Sequence, residues 1–286
     1  MKNLMIPALA LFLSAAAQAD DSPLWMRYCA ISPDGQTIAF SYQGDIYTVP
    51  SSGGKARQLT THPAHDTRPV WSPDGQKIAF ASNRSGNFDV FLMNKEGGEP
   101  KRLTTHSTNE YPTTFKDNGH ILYLANILQD AKDIQFPGTR FMQVYEISTD
   151  GGRPDLYSSL YMENIALSKD GSKLLYNDYK GYEDPWRKHH QSSITRDIWL
   201  CTLGKDRSFQ KVTTFGGEDR NPVWGAADGA SFYYLSEEKG SFNIFKKDLA
   251  GNSEKQITTH TTHPVRFLTS DNSGTLCYSY DGEIYT

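Results

Sequence analysis

The sequence predicts an all-β protein, a six-bladed β-propeller of four-stranded blades whose last blade lacks its outer strand. Three observations predict it. Six similar units follow one another, marked by turn glycines Gly35, Gly75, Gly119, Gly171, Gly229 and Gly274 at spacings of 40, 44, 52, 58 and 45 residues, and periods of this length belong to propeller blades. Each unit is a series of short runs rich in β-branched and aromatic residues, separated by tight-turn residues. Helical periodicity is nearly absent beyond the N-terminal segment.

That segment is not part of the propeller. Lys2, an apolar stretch from Leu4 to Ala17 and the small-x-small triplet Ala17-Gln18-Ala19 read as a secretory signal over residues 1–19, cleaved after Ala19. The apolar run is short for a bilayer span, so no membrane span is expected after cleavage. Residues 20–286 remain as the propeller, with blades at approximately 24–62, 63–106, 107–159, 160–215, 216–260 and 261–286.

Every unit opens with a run that enters a turn: "YCAISPDG", "RPVWSPDG", "YPTTFKDNG", "NIALSKDG", "NPVWGAADG" and "HPVRFLTSDNSG". Pro-Asp-Gly and its relatives preset the turn dihedrals, and glycine supplies the positive φ, so first and second strands form a hairpin. Second strands follow at once, as in "TIAFSY", "KIAFASN" and "HILYLAN", and third strands read "DIYTVP", "DVFLMN", "QVYEIS", "DIWLCT", "NIFKKD" and "EIYT". Fourth strands such as "ARQLTTH" and "EKQITTH" come after Gly-containing turns.

Unit six has no fourth strand before Thr286. The segment "DDSPLW" at Asp20–Trp25 is short for a closing strand and contains Pro23. The expectation is therefore the N-terminal part of a longer protein, because an unpaired third-strand edge is an association hazard.

With 29 Lys+Arg against 33 Asp+Glu, a net charge of −4 and no basic run longer than Arg187–His190, no nucleic-acid partner is expected. Cys29, Cys201 and Cys277 are an odd set inside apolar strand runs and read as buried free thiols, with a Cys29–Cys277 bridge as the lesser alternative. The sequence contains no G-x-S-x-G elbow, H-E-x-x-H or C-x-x-C motif, so no catalytic residue is assigned and no cofactor is expected.

Units ending "LTTH" and opening "PVWSPDGQKIAFAS", clearest at Pro69 to Ser82, resemble the TolB-type propeller repeat. A narrower resemblance covers the mature chain: "YCAISPDGQTIAFSYQGDIYTVP", "NRSGNFDVFLMN", "WRKHHQSSITRDIWL" and "GEDRNPVW" look like the N-terminal propeller of bacterial tricorn-like serine proteases, in the tail-specific protease group. That resemblance implies further propeller sequence, a PDZ-like domain and a catalytic core with a serine nucleophile, all C-terminal to these residues.

Two kinds of feature are candidates for binding. His62, His106 and His260 end "TTH" motifs, with His65 and His263 nearby. Their register repeats with the blade, so a hydrogen-bonded corner accounts for them better than a metal site, which needs its ligands at one point. Segments leading into the innermost strands place Asp66, Arg68, Glu110, Asp219, Arg220, His263 and Arg266 at one expected rim of the channel. That rim is either a solvated polar edge or a contact surface for a ligand or peptide.

Insertions in units three and four, "ILQDAKDIQFPGTRFM" and "YKGYEDPWRKHHQSSITRD", are expected to raise a wall over the same rim. The second carries Tyr182, Trp186, Arg187, His189 and His190, a mixture suited to peptide or partner recognition, although Tyr182 and Trp186 could equally pin the loop to its neighbour.

The functional expectation is a periplasmic, non-catalytic propeller module that gates or docks substrates for a C-terminal protease core. Expected partners are peptides or unfolded protein segments, the C-terminal protease domains of the same polypeptide, and further copies in a homo-oligomer. Two alternatives are a TolB-like periplasmic protein–protein interaction scaffold, and a metal-dependent propeller enzyme using rim histidines such as His189, His190 or His263.

Overall fold

The computed structural model describes residues 25–127, 142–181, 191–225, 229–250 and 253–286. The expected signal segment and the insertion residues Tyr182, Trp186, Arg187, His189 and His190 lie outside the described residues.

Six antiparallel sheets follow the chain in order. Blade one is β1 (Arg27–Ile31), β2 (Thr37–Tyr42), β3 (Asp45–Pro50) and β4 (Arg57–Gln58). Blade two is β5 (Asp66–Trp71), β6 (Lys77–Ser82), β7 (Asp89–Asn94) and β8 (Gly97–Arg102). Blade three is β9 (Glu110–Asp117), β10 (His120–Ala125), β11 (Gln143–Ser148) and β12 (Asp155–Ser158). Blade four is β13 (Met162–Leu167), β14 (Lys173–Asp178), β15 (Ile198–Thr202) and β16 (Ser208–Lys211). Blade five is β17 (Asp219–Trp224), β18 (Ser231–Ser236), β19 (Asn243–Asp248) and β20 (Glu254–Gln256). Blade six has three strands, β21 (Arg266–Ser270), β22 (Leu276–Tyr280) and β23 (Glu283–Tyr285).

The first strands touch one another in the closed sequence β1, β5, β9, β13, β17, β21 and back to β1. They are the innermost strands of a six-bladed propeller. Second strands are almost continuously apolar because both faces of each blade meet a neighbour. Six buried clusters result, one per interface: Phe80 and Ile46 join blades one and two, Tyr123 and Val90 blades two and three, and Leu122 and Leu174 blades three and four. Ile198 and Phe232 join blades four and five, Ile244 and Val265 blades five and six, and Phe40 and Cys277 blades six and one.

Among the described residues, packing and hydrogen bonds between blades six and one close the ring at the last of these interfaces. The N–H of Met26 donates to the Gly282 carbonyl (3.1 Å), the N–H of Asn272 to the Pro33 carbonyl (3.1 Å), and the N–H of Ile31 to Thr269 Oγ1 (3.2 Å). The Cys29 thiol donates to the Phe267 carbonyl (3.3 Å), and all three cysteines are buried and free.

The turn chemistry read from the sequence is visible in atomic detail. Ser32 Oγ donates to Asp34 Oδ1 (2.5 Å), which also accepts the Gln36 N–H (3.0 Å), while the Gly35 N–H donates to the Ser32 carbonyl (2.8 Å). Ser72 with Asp74 and Ser168 with Asp170 repeat the arrangement. The hydroxyl contacts hold Asp34 and Asp74 below the usual carboxylate range, and Asp170 at about 2.

The recurrent "TT" has a separate role. Thr60, Thr104, Thr213 and Thr258 accept the N–H groups of Ile46 (3.0 Å), Val90 (2.9 Å), Ile198 (3.0 Å) and Ile244 (2.9 Å). Each hydroxyl thereby extends the ladder between third and fourth strands after the backbone pairing ends.

Gly35 and Gly171 occupy equivalent turns with φ of +73° and +69°, but only Gly35 faces a neighbour, the Asp271 carboxylate of blade six. Gly171→Ala is expected to cost about 1 kcal/mol through the left-handed conformation alone. Gly35→Ala is expected to cost about 2–3 kcal/mol because the side chain also displaces Asp271 at the closing seam. Urea unfolding of both variants checks this, and equal losses would remove seam packing as the cause.

Candidate functional site

Each innermost strand approaches the propeller axis through a bulge. The pairing register slips between Arg27 and Ala30, Thr67 and Val70, Glu163 and Ala166, Arg220 and Val223, and Arg266 and Thr269. The first residue inside each slip adopts a left-handed conformation: Tyr28 (+52°), Arg68 (+55°), Asn164 (+49°), Asn221 (+52°) and Phe267 (+54°). Blade three has Pro112 at that position, where the pyrrolidine ring forbids positive φ. Its bulge is accordingly of a different form.

These six residues line one cavity of about 800 Å³, the central channel. Around the ring they read Tyr28, Arg68, Pro112, Asn164, Asn221 and Phe267. One half is aromatic and cationic: Phe267 packs on Tyr28 at 4.5 Å between ring centroids, and the Arg68 guanidinium lies 5.3 Å from the Tyr28 ring and 4.3 Å from the Tyr111 ring. The other half is amide. Asn221 Nδ2 donates to Asn164 Oδ1 (3.2 Å), and Asn164 Nδ2 to Asn177 Oδ1 (2.7 Å).

Behind the amide half lies an ionic network. Arg196 donates to Glu163 Oε2 (2.7 Å) and to Glu218 Oε1 (3.2 Å), which Arg220 also reaches at 3.5 Å. Arg220 is buried over the Phe242 ring at 4.1 Å. Burial, with Arg266 and Arg196 nearby, lowers its pKa to about 10 against the pull of Glu218. Arg196, Arg220, Arg266 and Glu163 all line the channel. The site offers amide and guanidinium donors around a cavity of about 800 Å³, the chemistry of backbone carbonyl and carboxylate recognition.

The family described as tricorn protease N-terminal beta propeller domain matches residues 23–286. The chain belongs to that family. A tricorn protease homolog of Saccharolobus solfataricus is 23% identical over 268 residues, covering 91% of this chain and 23% of the relative. Tricorn protease homolog 1 of Streptomyces coelicolor is 23% identical over 269 residues, covering 93% and 24%. This tricorn-type chain thus spans about a quarter of the length of these relatives. Among solved structures, a tricorn protease crystal structure superposes with a TM-score of 0.73 at 22% identity over 92% of this chain and 25% of that one. A putative TolB from Agrobacterium tumefaciens gives 0.66 at 15% identity over 91% and 92%, a likeness of fold alone.

The sequence-predicted rim residues separate into three groups. Arg68, Arg220 and Arg266 line the channel. His263 is exposed on blade six, with Nε2 at 3.2 Å from Asp281 Oδ1. Asp66, Glu110 and Asp219, in contrast, are buried at 0%, 1% and 1% exposure, which corrects their expected place on a binding rim. The cause is register. They stand two residues before the bulge, where blades one, four and six carry Met26, Met162 and Val265, and that position faces the core. The apolar equivalents were the available signal.

Sequence reasoning also missed Arg196. It stands two residues before β15, and with Asp197 aligned on Asp45 and Asp89 it takes the place where other blades carry Gly44, Phe88, Met142, Phe242 and Gly282, so its departure from the repeat was the clue. The expected histidine corners form at two sites: His62 Nδ1 accepts the Ala64 N–H (3.0 Å), and His106 Nδ1 accepts the Thr108 N–H (3.2 Å). At His260 the backbone forms the corner, its N–H donating to Asn243 Oδ1 (2.8 Å) and its carbonyl accepting from Asn243 Nδ2 (2.9 Å), while the ring stacks on Tyr280 at 3.8 Å. Among the described residues no group of three or more His, Cys, Asp or Glu is placed to hold a metal ion.

Asp66 is paired with Arg84 at 2.8 Å, but burial raises both Glu110 and Asp219 to about 7. A carboxyl whose folded pKa exceeds its unfolded value of about 4 stabilises the fold below that unfolded pKa, and the contribution is lost as pH rises through about 7. The melting temperature is expected to fall between pH 5 and pH 8, a window above the titration of the depressed turn aspartates. Asp219→Asn should flatten that fall and stabilise the protein at pH 8 by about 2 kcal/mol. A pH-independent melting temperature in the wild type would show that these carboxyls are not protonated in the fold.

Proposed function

We propose that this chain is the non-catalytic propeller module of an exported tricorn-like serine protease, where it docks or gates peptides for a C-terminal catalytic core. The observation that carries the reading is the family match over residues 23–286, joined to a channel lined by amide and guanidinium donors. Relatives about four times as long, named as tricorn proteases, support the parent enzyme. The Lys2 to Ala19 pattern supports export to the periplasm. Peptides or unfolded segments are the substrates in this reading, and the protease domains of the same polypeptide receive them.

A second reading, a TolB-like interaction scaffold, is favoured by one observation: a propeller of this fold accounts for 92% of the TolB chain. Intact mass of the native protein, recovered from cells with an antibody to the propeller, separates the two. The module reading expects a species several times heavier than 32.1 kDa. A species near 32.1 kDa would favour the scaffold.

Gating adds a kinetic expectation for the full polypeptide. Asn221→Trp, which narrows the channel at the ring, should lower kcat/KM for peptides of about ten residues by roughly fivefold while leaving tripeptides within about twofold. Equal effects on both lengths would overturn the channel as a route for substrate.

A further inference from the structure

The channel ring contains a guanidinium for which the described residues supply no anion. The Arg68 guanidinium lies against the Tyr28 and Tyr111 rings, 5.3 Å and 4.3 Å from their centroids. Among the described residues it forms no hydrogen bond or ion pair. The acids that line the channel are committed elsewhere: Glu163 to Arg196 (2.7 Å), and Asp271 to Ser273 (2.8 Å) and to the Thr275 N–H (2.8 Å). Stacking occupies the faces of a guanidinium and leaves its N–H edge available, the edge that pairs with a carboxylate in a planar, two-pronged contact.

We propose that Arg68 is the anchor of a carboxylate-binding subsite inside the channel, a step that rests on the peptide-handling reading above. In ring order Arg68 stands three blades from Asn221, so the cation and the amide pair face each other across the passage. A carboxylate held by Arg68 would leave the neighbouring backbone of an extended ligand beside the Asn164 and Asn221 amides. The left-handed backbone of Arg68 at +55° fixes the side chain's departure from the strand, and a conformation that costs about 1–3 kcal/mol in a non-glycine residue persists only where the surrounding structure enforces it. The ligand carboxylate comes either from an acidic side chain or from a free peptide C-terminus.

Calorimetric titration of the full polypeptide distinguishes these sources. The probes are acetyl-pentaglycine with a free C-terminus, the same peptide amidated, an amidated acetyl-Gly-Gly-Asp-Gly-Gly, and sodium acetate. The subsite expects either carboxylate peptide to bind about tenfold more tightly than the neutral one, with Arg68→Gln removing the difference and Arg68→Lys restoring part of it. Preference for the free terminus or for the aspartate identifies the source. If all peptides bind alike and Arg68→Gln changes nothing, the subsite is overturned while the peptide reading stands. If only acetate binds and does so through Arg68, the subsite stands and the peptide reading fails. No binding of any probe overturns both. The Arg68→Lys variant keeps the test decisive should Arg68→Gln fail to fold.

Discussion

A blade has no face for water, and every other feature of this protein follows from that constraint. Each sheet must present an apolar surface on both sides, so its second strand becomes a nearly uninterrupted apolar run and its neighbours supply the covering layer. Because all six interfaces, including that between blades six and one, are built from the same kind of cluster, the ring closes by packing. Strained non-glycine positions gather where packing does not decide the residue, above all at the inner bulges that line the channel.

Repetition then separates what holds the fold from what the fold presents. The threonine that caps the third-strand ladder recurs in four blades with nearly constant geometry. The residue at the inner bulge position varies around the ring, through tyrosine, arginine, proline, two asparagines and phenylalanine. Left-handed backbone is tolerable for asparagine but costly for tyrosine, arginine or phenylalanine. Retaining such residues in a ring around a cavity of about 800 Å³ marks the inner bulge as the part of the blade released from the repeat.

The hairpins were legible in the sequence because Ser-Pro-Asp-Gly encodes its own hydrogen bonds, and the strands because β-branched and aromatic runs admit few alternatives. The channel was legible only in outline. Arg68, Arg220 and Arg266 belong to it, but distinguishing them from Asp66 and Asp219, one or two residues away, requires knowing where the strand slips register. A bulge changes which side of the sheet a residue occupies and leaves no mark of its own in residue type. Arg196 escaped for another reason: its partners lie far apart in the chain, Glu163 in β13 and Glu218 just before β17, and only the fold brings them together.

The buried carboxyls show how a single following position sets the electrostatics of a repeat. Asp66, Glu110 and Asp219 are structurally equivalent, each paired with the last residue of its second strand, Ser82, Ala125 and Ser236. Two residues further on, blade two carries Arg84, which donates to Asp66 and stacks over Phe91 at 4.7 Å, whereas blade three carries Ile127 and blade five Glu238. Without that guanidinium an ionised carboxylate would be desolvated and uncompensated, so Glu110 and Asp219 retain their protons toward neutral pH. Residue type alone suggested a ligand contact at these positions, and burial assigns them to the framework that carries the channel.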